Sequence, residues 1–267
     1  LLDHVDGLRR KCEDGTACLG TVDAWLLFRL TGGRVHATDA TNAGRTMLMD
    51  LRSGNWDEEL LSLFGVPRAC LPEIRPPGSR FGTIACGSPL DGLPVAGMAG
   101  DQQAALLGQG GVTAGDAKNT YGTGCFLLVH TGDAAPPPPE GILATPAAGL
   151  GGATAFAREG SVFIGGALVE WLRDGLGFIR ESADVEPLAA SVPDTGGVMM
   201  VPALAGLGAP WWDPRARGTI VGLTRGTTRA HVARAALEGI ARTIADLLEA
   251  MTPRGERVTE LRVDGGA

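Results

Sequence analysis

Asp101 follows the apolar run Leu93-Pro-Val-Ala-Gly-Met-Ala-Gly100 and opens Gln102-Gln-Ala-Ala-Leu106, a pattern that predicts a strand handing over to a helix. Gly97 and Gly100 let the backbone turn sharply and leave room beside it. A carboxylate presented near the C-terminal edge of a parallel sheet stands where open α/β proteins place ligands, and it can take the proton of an attacking hydroxyl. Aspartate is also a common N-cap, so Asp101 equally reads as the cap of a helix from Gln102 to Gly108.

Glycine turns form a second group. Lys118-Asn-Thr-Tyr-Gly-Thr-Gly-Cys-Phe126 sets Gly122-Thr123-Gly124 between two β-like runs. Such a turn can offer consecutive N–H groups and one hydroxyl to a phosphate, or it can simply close a hairpin. Gly160-Ser-Val-Phe-Ile-Gly-Gly-Ala167 runs a strand into Gly165-Gly166 ahead of a helix that starts near Ala167, and Asp264-Gly265-Gly266 repeats the design. There the glycines admit either a ligand at a helix N-terminus or close helix–strand packing. The segment Gly206 to Gly226 is dense in Gly, Pro, Trp and Arg; its Arg215, Arg217 and Arg225 are expected to clamp loops, and Trp211 and Trp212 to pack.

Around these residues the periodicity supplies the supporting elements. Thr21 to Leu30 carries a helical stripe of Val22, Trp25, Leu26 and Leu30, and Asp57 to Phe64 reads as a short amphipathic helix. Pro67 to Gly92, rich in Pro and Gly, reads as loop with short strands, and the proline tract Asp133 to Glu140 as an exposed loop. Strands are expected over Asp116–Tyr121, Cys125–Val129, Gly160–Ile164, Val198–Leu204, Thr219–Leu223 and Leu261–Val263, and a helix over Ala167–Arg173. From Arg229 to Met251, Val232, Ala236, Leu237, Ile240, Ile244, Leu247, Leu248 and Met251 keep a 3.6-residue stripe, the strongest helix signal in the chain.

Composition bounds the chemistry. The 267 residues, 44% hydrophobic and 20% charged, suffice for two domains or one large one. A formal charge of −7 argues against a general nucleic-acid or acidic-membrane surface. Lys11 and Lys118 are the only lysines, so an anionic ligand would depend on backbone N–H groups, arginines or a metal ion. Five cysteines without a C-x-x-C pair read as reduced thiols, and four scattered histidines share no zinc spacing with them. With no run of about 18 apolar residues and no signal-peptide pattern at Leu1, membrane insertion is not expected and a cytoplasmic location is.

Taken together, Gly20-Thr-Val-Asp-Ala-Trp-Leu26, Thr38-Asp-Ala-Thr-Asn-Ala-Gly-Arg-Thr-Met-Leu48, Ala99-Gly-Asp-Gln-Gln-Ala-Ala-Leu106, Lys118 to Phe126, Trp171-Leu-Arg-Asp174 and Gly206 to Gly226 resemble the glycerol-kinase branch of the carbohydrate-kinase family that also holds xylulose and gluconate kinases. The resemblance runs along almost the whole chain in order and spacing. It implies an α/β fold of the ribonuclease H-like, actin-like two-domain sugar-kinase type, incomplete here. Residues 1–109 would be the C-terminal part of a substrate-side domain and 110–267 the N-terminal part of a nucleotide-side domain, with ATP and substrate in the cleft between. Asp101 is then the base that deprotonates the glycerol hydroxyl attacking the γ-phosphate of ATP. Gln102 and Phe126 line the glycerol pocket, Gly122 and Thr123 meet phosphate, and Gly166 and Gly266 lie against the nucleotide. Phosphoryl transfer needs mainly positioning and charge neutralisation, so a carboxylate, backbone donors and Mg2+ are a sufficient kit.

The resemblance also implies missing parts. The family's first phosphate loop and its Arg-Glu pair and Tyr that grip glycerol would precede Leu1, and a nucleotide-binding Asn would follow Ala267. A chain truncated at both ends and inactive or nearly so by itself is therefore expected. In the loop Ala85 to Gly92, Gly92 stands where some bacterial relatives have an Arg that binds fructose 1,6-bisphosphate, so weak or no inhibition by that compound is expected. Two other readings stand beside glycerol phosphorylation: a kinase of another polyol or sugar in the same family, and a non-catalytic ATP-binding switch of the actin superfamily. A degenerate fragment with only a structural role is the third, and a homo-oligomer is left open.

Overall fold

In the computed structural model, the structure describes residues 1–135, 137–149, 155–253, 257–258 and 260–266. Pro136 of the proline tract and the terminal Ala267 lie outside them. Two compact units form: one of Leu1–Val112, His130–Pro136 and Ala144–Ala157, the other of Thr113–Val129, Pro137–Leu143 and Arg158–Ala267.

The first unit contains helices α1 (Leu8–Glu13), α2 (Val22–Leu30), α3 (Ala40–Ala43), α4 (Glu58–Phe64) and α5 (Asp101–Gly108) with short strands between them. β1 (Ala37–Asp39) lies parallel to β4 (Glu73–Arg75), whereas β2 (Met49–Asp50) with β3 (Asn55–Trp56) and β5 (Gly82–Thr83) with β6 (Pro94–Val95) are antiparallel pairs. Asp57 starts α4, its Oδ1 accepting the amides of Glu59 at 2.8 Å and Leu60 at 3.0 Å, and Gly65 ends it at φ +62°. The α4 expectation holds, but two others need correction. The Val22, Trp25, Leu26, Leu30 stripe does not face the core: Val22, Trp25 and Leu26 are exposed, and Ala24 and Leu27 are the buried residues of α2. The run Leu93–Gly100 forms strand only at Pro94–Val95, and it pairs antiparallel with Gly82–Thr83 rather than ending a parallel sheet. Five of its eight residues are Gly, Pro or Ala, which pack poorly on a pleated surface.

The second unit holds β7 (Ala117–Tyr121), most of β8 (Cys125–Gly132), most of β10 (Ala155–Val162) and β13 (Leu261–Gly265), in the order β13-β7-β8-β10, whereas β9 (Leu143–Ala147) falls almost wholly in the first unit. The division between units cuts β8, β9 and β10. β13 is parallel to β7 and β7 antiparallel to β8. Cys125, Leu127 and Val129 alternate onto one face of β8, where they join α6 (Gly166–Glu170), α7 (Val185–Ala190) and α8 (Arg229–Met251) in one core. α8 buries Val232, Ala236, Ile240, Ile244, Leu247 and Met251, the stripe its period predicts. An added Cβ at Gly160 would fall 2.5 Å from Leu247 and 2.7 Å from Met251, so glycine there lets α8 sit on β10. β11 (Met199–Val201) and β12 (Thr219–Val221) are shorter than expected and form a separate antiparallel pair, and α6 runs on into a π-helical turn at Trp171–Gly175. No helix among the described residues is long and apolar enough to cross a membrane.

All five cysteines are free; Cys12, Cys70 and Cys125 are buried, Cys18 and Cys86 exposed. Burial pushes the Cys70 and Cys125 thiols up to about 11. Thiolate is the reactive form, so at pH 8 a thiol reagent such as DTNB is expected to label the two exposed thiols of the native chain quickly, and all five in denaturant. Rapid labelling of a third native thiol would contradict this burial pattern.

Candidate functional site

In the first unit, Gly100 and not Asp101 is the N-cap of α5, and it makes no side-chain cap bond. Asp101 is the first helical residue and is exposed. Its Oδ1 accepts the amide of Gln102 at 2.9 Å and its Oδ2 accepts the Gln102 side-chain amide at 3.2 Å. The carboxylate thus sits over the first turn with the side chain of Gln102 beside it.

Behind this turn lies a polar arrangement that the sequence pattern did not single out. Asp39 and Thr41 are entirely buried, and burial pushes the Asp39 carboxyl above the usual carboxylate range despite its four donors from Thr41 and Asn42. The Gly100 amide donates to Thr41 Oγ1 at 2.7 Å. Gln103, also buried, donates from Nε2 to Thr145 Oγ1 at 3.0 Å. Residues 39–42 carry no local sign of the link to residue 100, which depends on where the chain returns in space.

Within the second unit, Gly122-Thr123-Gly124 is the turn joining β7 to β8, with Tyr121 paired to Cys125. The Gly122 amide donates to Gly124 O at 2.9 Å. Among the described residues the Thr123 and Gly124 amides make no hydrogen bond, and Thr123 is exposed. The start of α6 docks on this turn: Gly165 N and Ala167 N donate to Thr123 O at 2.8 and 3.1 Å, and Gly166 N to Gly122 O at 2.8 Å. Of the two readings of Gly165-Gly166, these bonds favour close packing, because the helix-start N–H groups already donate to carbonyls. Gly165 is a packing glycine, its added Cβ falling 2.7 Å from Cys125 Sγ.

β13 brings the third glycine pair to the same place. Gly265 lies opposite Tyr121 at φ +111°, and an added Cβ would strike the Tyr121 backbone. Gly266, the next residue, faces open space. The three glycine motifs, spread over 145 residues of chain from 122 to 266, therefore meet at one end of β7. Phe126 is half-buried on β8 opposite Thr120, on the face away from Cys125 and Leu127. Lys118 is entirely buried, with Nζ donating to Thr120 Oγ1 at 2.7 Å, and so takes no part in a lysine surface.

The remaining motifs are structural. Arg217 Nη1 donates to the carbonyls of Pro214 at 3.0 Å and Ala216 at 2.8 Å. Trp212 donates from Nε1 to Gly141 O at 2.7 Å and meets Phe163 edge-on at 6.1 Å, whereas Trp211 is exposed. In the loop 85–92, Asp91 accepts the amides of Cys86, Gly87 and Ser88 at 3.0–3.2 Å, which hold its carboxyl below the usual range, the Cys86 amide foremost. That loop is closed on its own anion.

Residues 1–108 match the model for the N-terminal domain of the FGGY family of carbohydrate kinases, and 117–267 the model for its C-terminal domain. A glycerol kinase of Alkalilimnicola ehrlichii is 58% identical over 268 residues, covering 100% of this chain and 54% of the relative. Among solved structures, Plasmodium falciparum glycerol kinase with ADP is similar at a TM-score of 0.89 and 37% identity, over 100% of this chain and 54% of that one. Gluconate kinase from Lactobacillus acidophilus is similar at 0.79 and 27%, over 91% and 50%. The chain spans about half the length of the curated relatives it matches.

Proposed function

The chain belongs to the FGGY family of carbohydrate kinases, and on that premise we propose that it carries part of an enzyme that phosphorylates glycerol to sn-glycerol 3-phosphate with ATP. The observation that carries this reading is the 58% identity to a glycerol kinase across all of the chain. In the proposed step the Asp101 carboxylate takes the proton of a terminal glycerol hydroxyl. The new O–P bond forms as the bond from the γ-phosphorus to the bridging oxygen breaks, and ADP leaves. Gln102 hydrogen-bonds a glycerol hydroxyl and Phe126 covers its carbons. Gly122 and Thr123 meet phosphate through the Thr123 N–H and hydroxyl, and Gly166 and Gly266 leave room for the nucleotide. Residues 1–109 serve the substrate and 110–267 the nucleotide.

Magnesium is proposed to travel on the ATP phosphates rather than in a protein cage. Among the described residues no three His, Cys, Asp or Glu side chains cluster to hold a metal ion, and no step is assigned to it. The enzyme is proposed to work in the cytoplasm, in keeping with its odd number of unpaired cysteines.

The gene's complete product, given ATP and a panel of polyols and sugars, is expected to prefer glycerol over xylulose and gluconate in kcat/KM. A higher kcat/KM with a sugar would move the assignment to another branch of the family. Nucleotide-dependent partner binding with no phosphorylated acceptor would favour the switch instead.

A further inference from the structure

The stretch Thr38 to Leu48 has no role in the step above, yet it holds the most completely bonded buried carboxylate among the described residues. Asp39 ends β1, and its Oδ2 accepts the Thr41 amide at 2.7 Å and the Thr41 hydroxyl at 2.6 Å. Its Oδ1 accepts the Asn42 side-chain amide at 2.6 Å and the Asn42 backbone amide at 3.3 Å. Capping α3 needs only the two backbone donors. The hydroxyl bond does something more: it commits the Thr41 proton to Asp39, so that the oxygen's lone pairs are left for another donor. That donor is the Gly100 amide, 59 residues away and 2.7 Å distant.

Gly100 is the last residue before α5, and Asp101 the first within it. Asp101 is held by no residue outside its own turn among the described residues; both its bonds go to Gln102. Its direction is therefore inherited from the backbone at Gly100. A side chain at Gly100 would fall 2.6 Å from Gln103 Oε1, and Gln103 is itself tied to Thr145. The Gln103–Thr145 bond is buried and the Gly100–Thr41 bond partly so, its acceptor Thr41 being entirely buried.

We propose that Thr41, oriented by Asp39, is a positioning residue that aims the Asp101 carboxylate by fixing the Gly100 amide. This rests on the reading of Asp101 as the base. A misplacement of about 1 Å can lower a rate roughly 10²-fold, so a lost tether is expected to act on kcat rather than on nucleotide binding.

Two variants and two readouts test it. Thr41→Val keeps the shape and removes both hydrogen bonds, whereas Thr41→Ser keeps the hydroxyl. In the 267-residue chain, Thr41→Val is expected to speed hydrogen exchange of the Gly100 amide about tenfold or more, with amides of α8 unchanged and Thr41→Ser near wild type. In the gene's complete product, Thr41→Val is expected to lower kcat by roughly 10²-fold with KM for ATP within about twofold, and Thr41→Ser to restore it. If Thr41→Val does not fold, Thr41→Cys, whose thiol is a weak donor and acceptor, is read in the same way. Unchanged Gly100 exchange overturns the tether. Faster exchange with unchanged kcat, where Asp101→Asn abolishes turnover, overturns the positioning role. Turnover retained by Asp101→Asn would instead defeat the base assignment, and with it the premise of this inference, whatever the Gly100 amide does.

Discussion

Asp101→Asn is expected to lower kcat of the gene's complete product by about 10²–10⁴-fold, the range for removing a general base, while KM for glycerol and ATP changes little. Asparagine has the same shape and still offers Oδ1 to the Gln102 amide, which now donates at 2.9 Å. It has no basic oxygen to receive the hydroxyl proton. Because Asp101 is exposed at the first turn of α5, stability should move by no more than about 0.5 kcal/mol, which urea denaturation can verify. The pairing of a large kinetic effect with a small thermodynamic one separates a chemical role from a structural one. Turnover within about tenfold of wild type would place the proton acceptor elsewhere.

The second large effect is expected at Gly265. Alanine there would have to hold φ +111° and put its Cβ against backbone atoms of Tyr121, which cannot rotate away as a flexible side-chain end could. Strain at such a dihedral costs about 1–3 kcal/mol and overpacking about as much again, so Gly265→Ala should destabilise the second unit by roughly 2–6 kcal/mol. Gly266→Ala is its counterpart. Its added Cβ meets nothing within 4 Å, so stability should stay within about 0.5 kcal/mol of wild type. As a proposed nucleotide contact, however, Gly266→Ala is expected to weaken binding of a non-hydrolysable ATP analogue by roughly tenfold, as if one close approach worth about 1.4 kcal/mol were lost. Urea titration and equilibrium binding on the two variants check both halves. Unchanged nucleotide affinity in Gly266→Ala would remove that residue from the proposed site.

Periodicity was a faithful guide where one element supplies its own answer. The α8 stripe is legible because 23 residues repeat the same spacing, and the side that is apolar is the side that is buried. The short helix α4 and the turn at Gly122-Thr-Gly124 are legible because their hydrogen bonds close within a few residues. α2 shows the limit: its period is helical, but spacing alone does not say which neighbour covers which side, and Ala24 and Leu27 are covered while Trp25 is not. The apolar run before Asp101 failed as a strand for a related reason, since pairing depends on a partner and among the described residues only Gly82–Thr83 provides one.

By itself the sequence determined helices α4 and α8, the strands flanking the Gly122 turn, the candidate carboxylate and the glycines, because these are properties of residue type and short spacing. Only the tertiary structure decided that three separate glycine motifs meet at the end of β7, that the amides at the start of α6 donate to carbonyls of the turn, and that Thr41 holds Gly100. Each of those facts is a hydrogen bond or a close approach between residues tens of positions apart. Such contacts depend on where the chain returns in space, which no local pattern encodes.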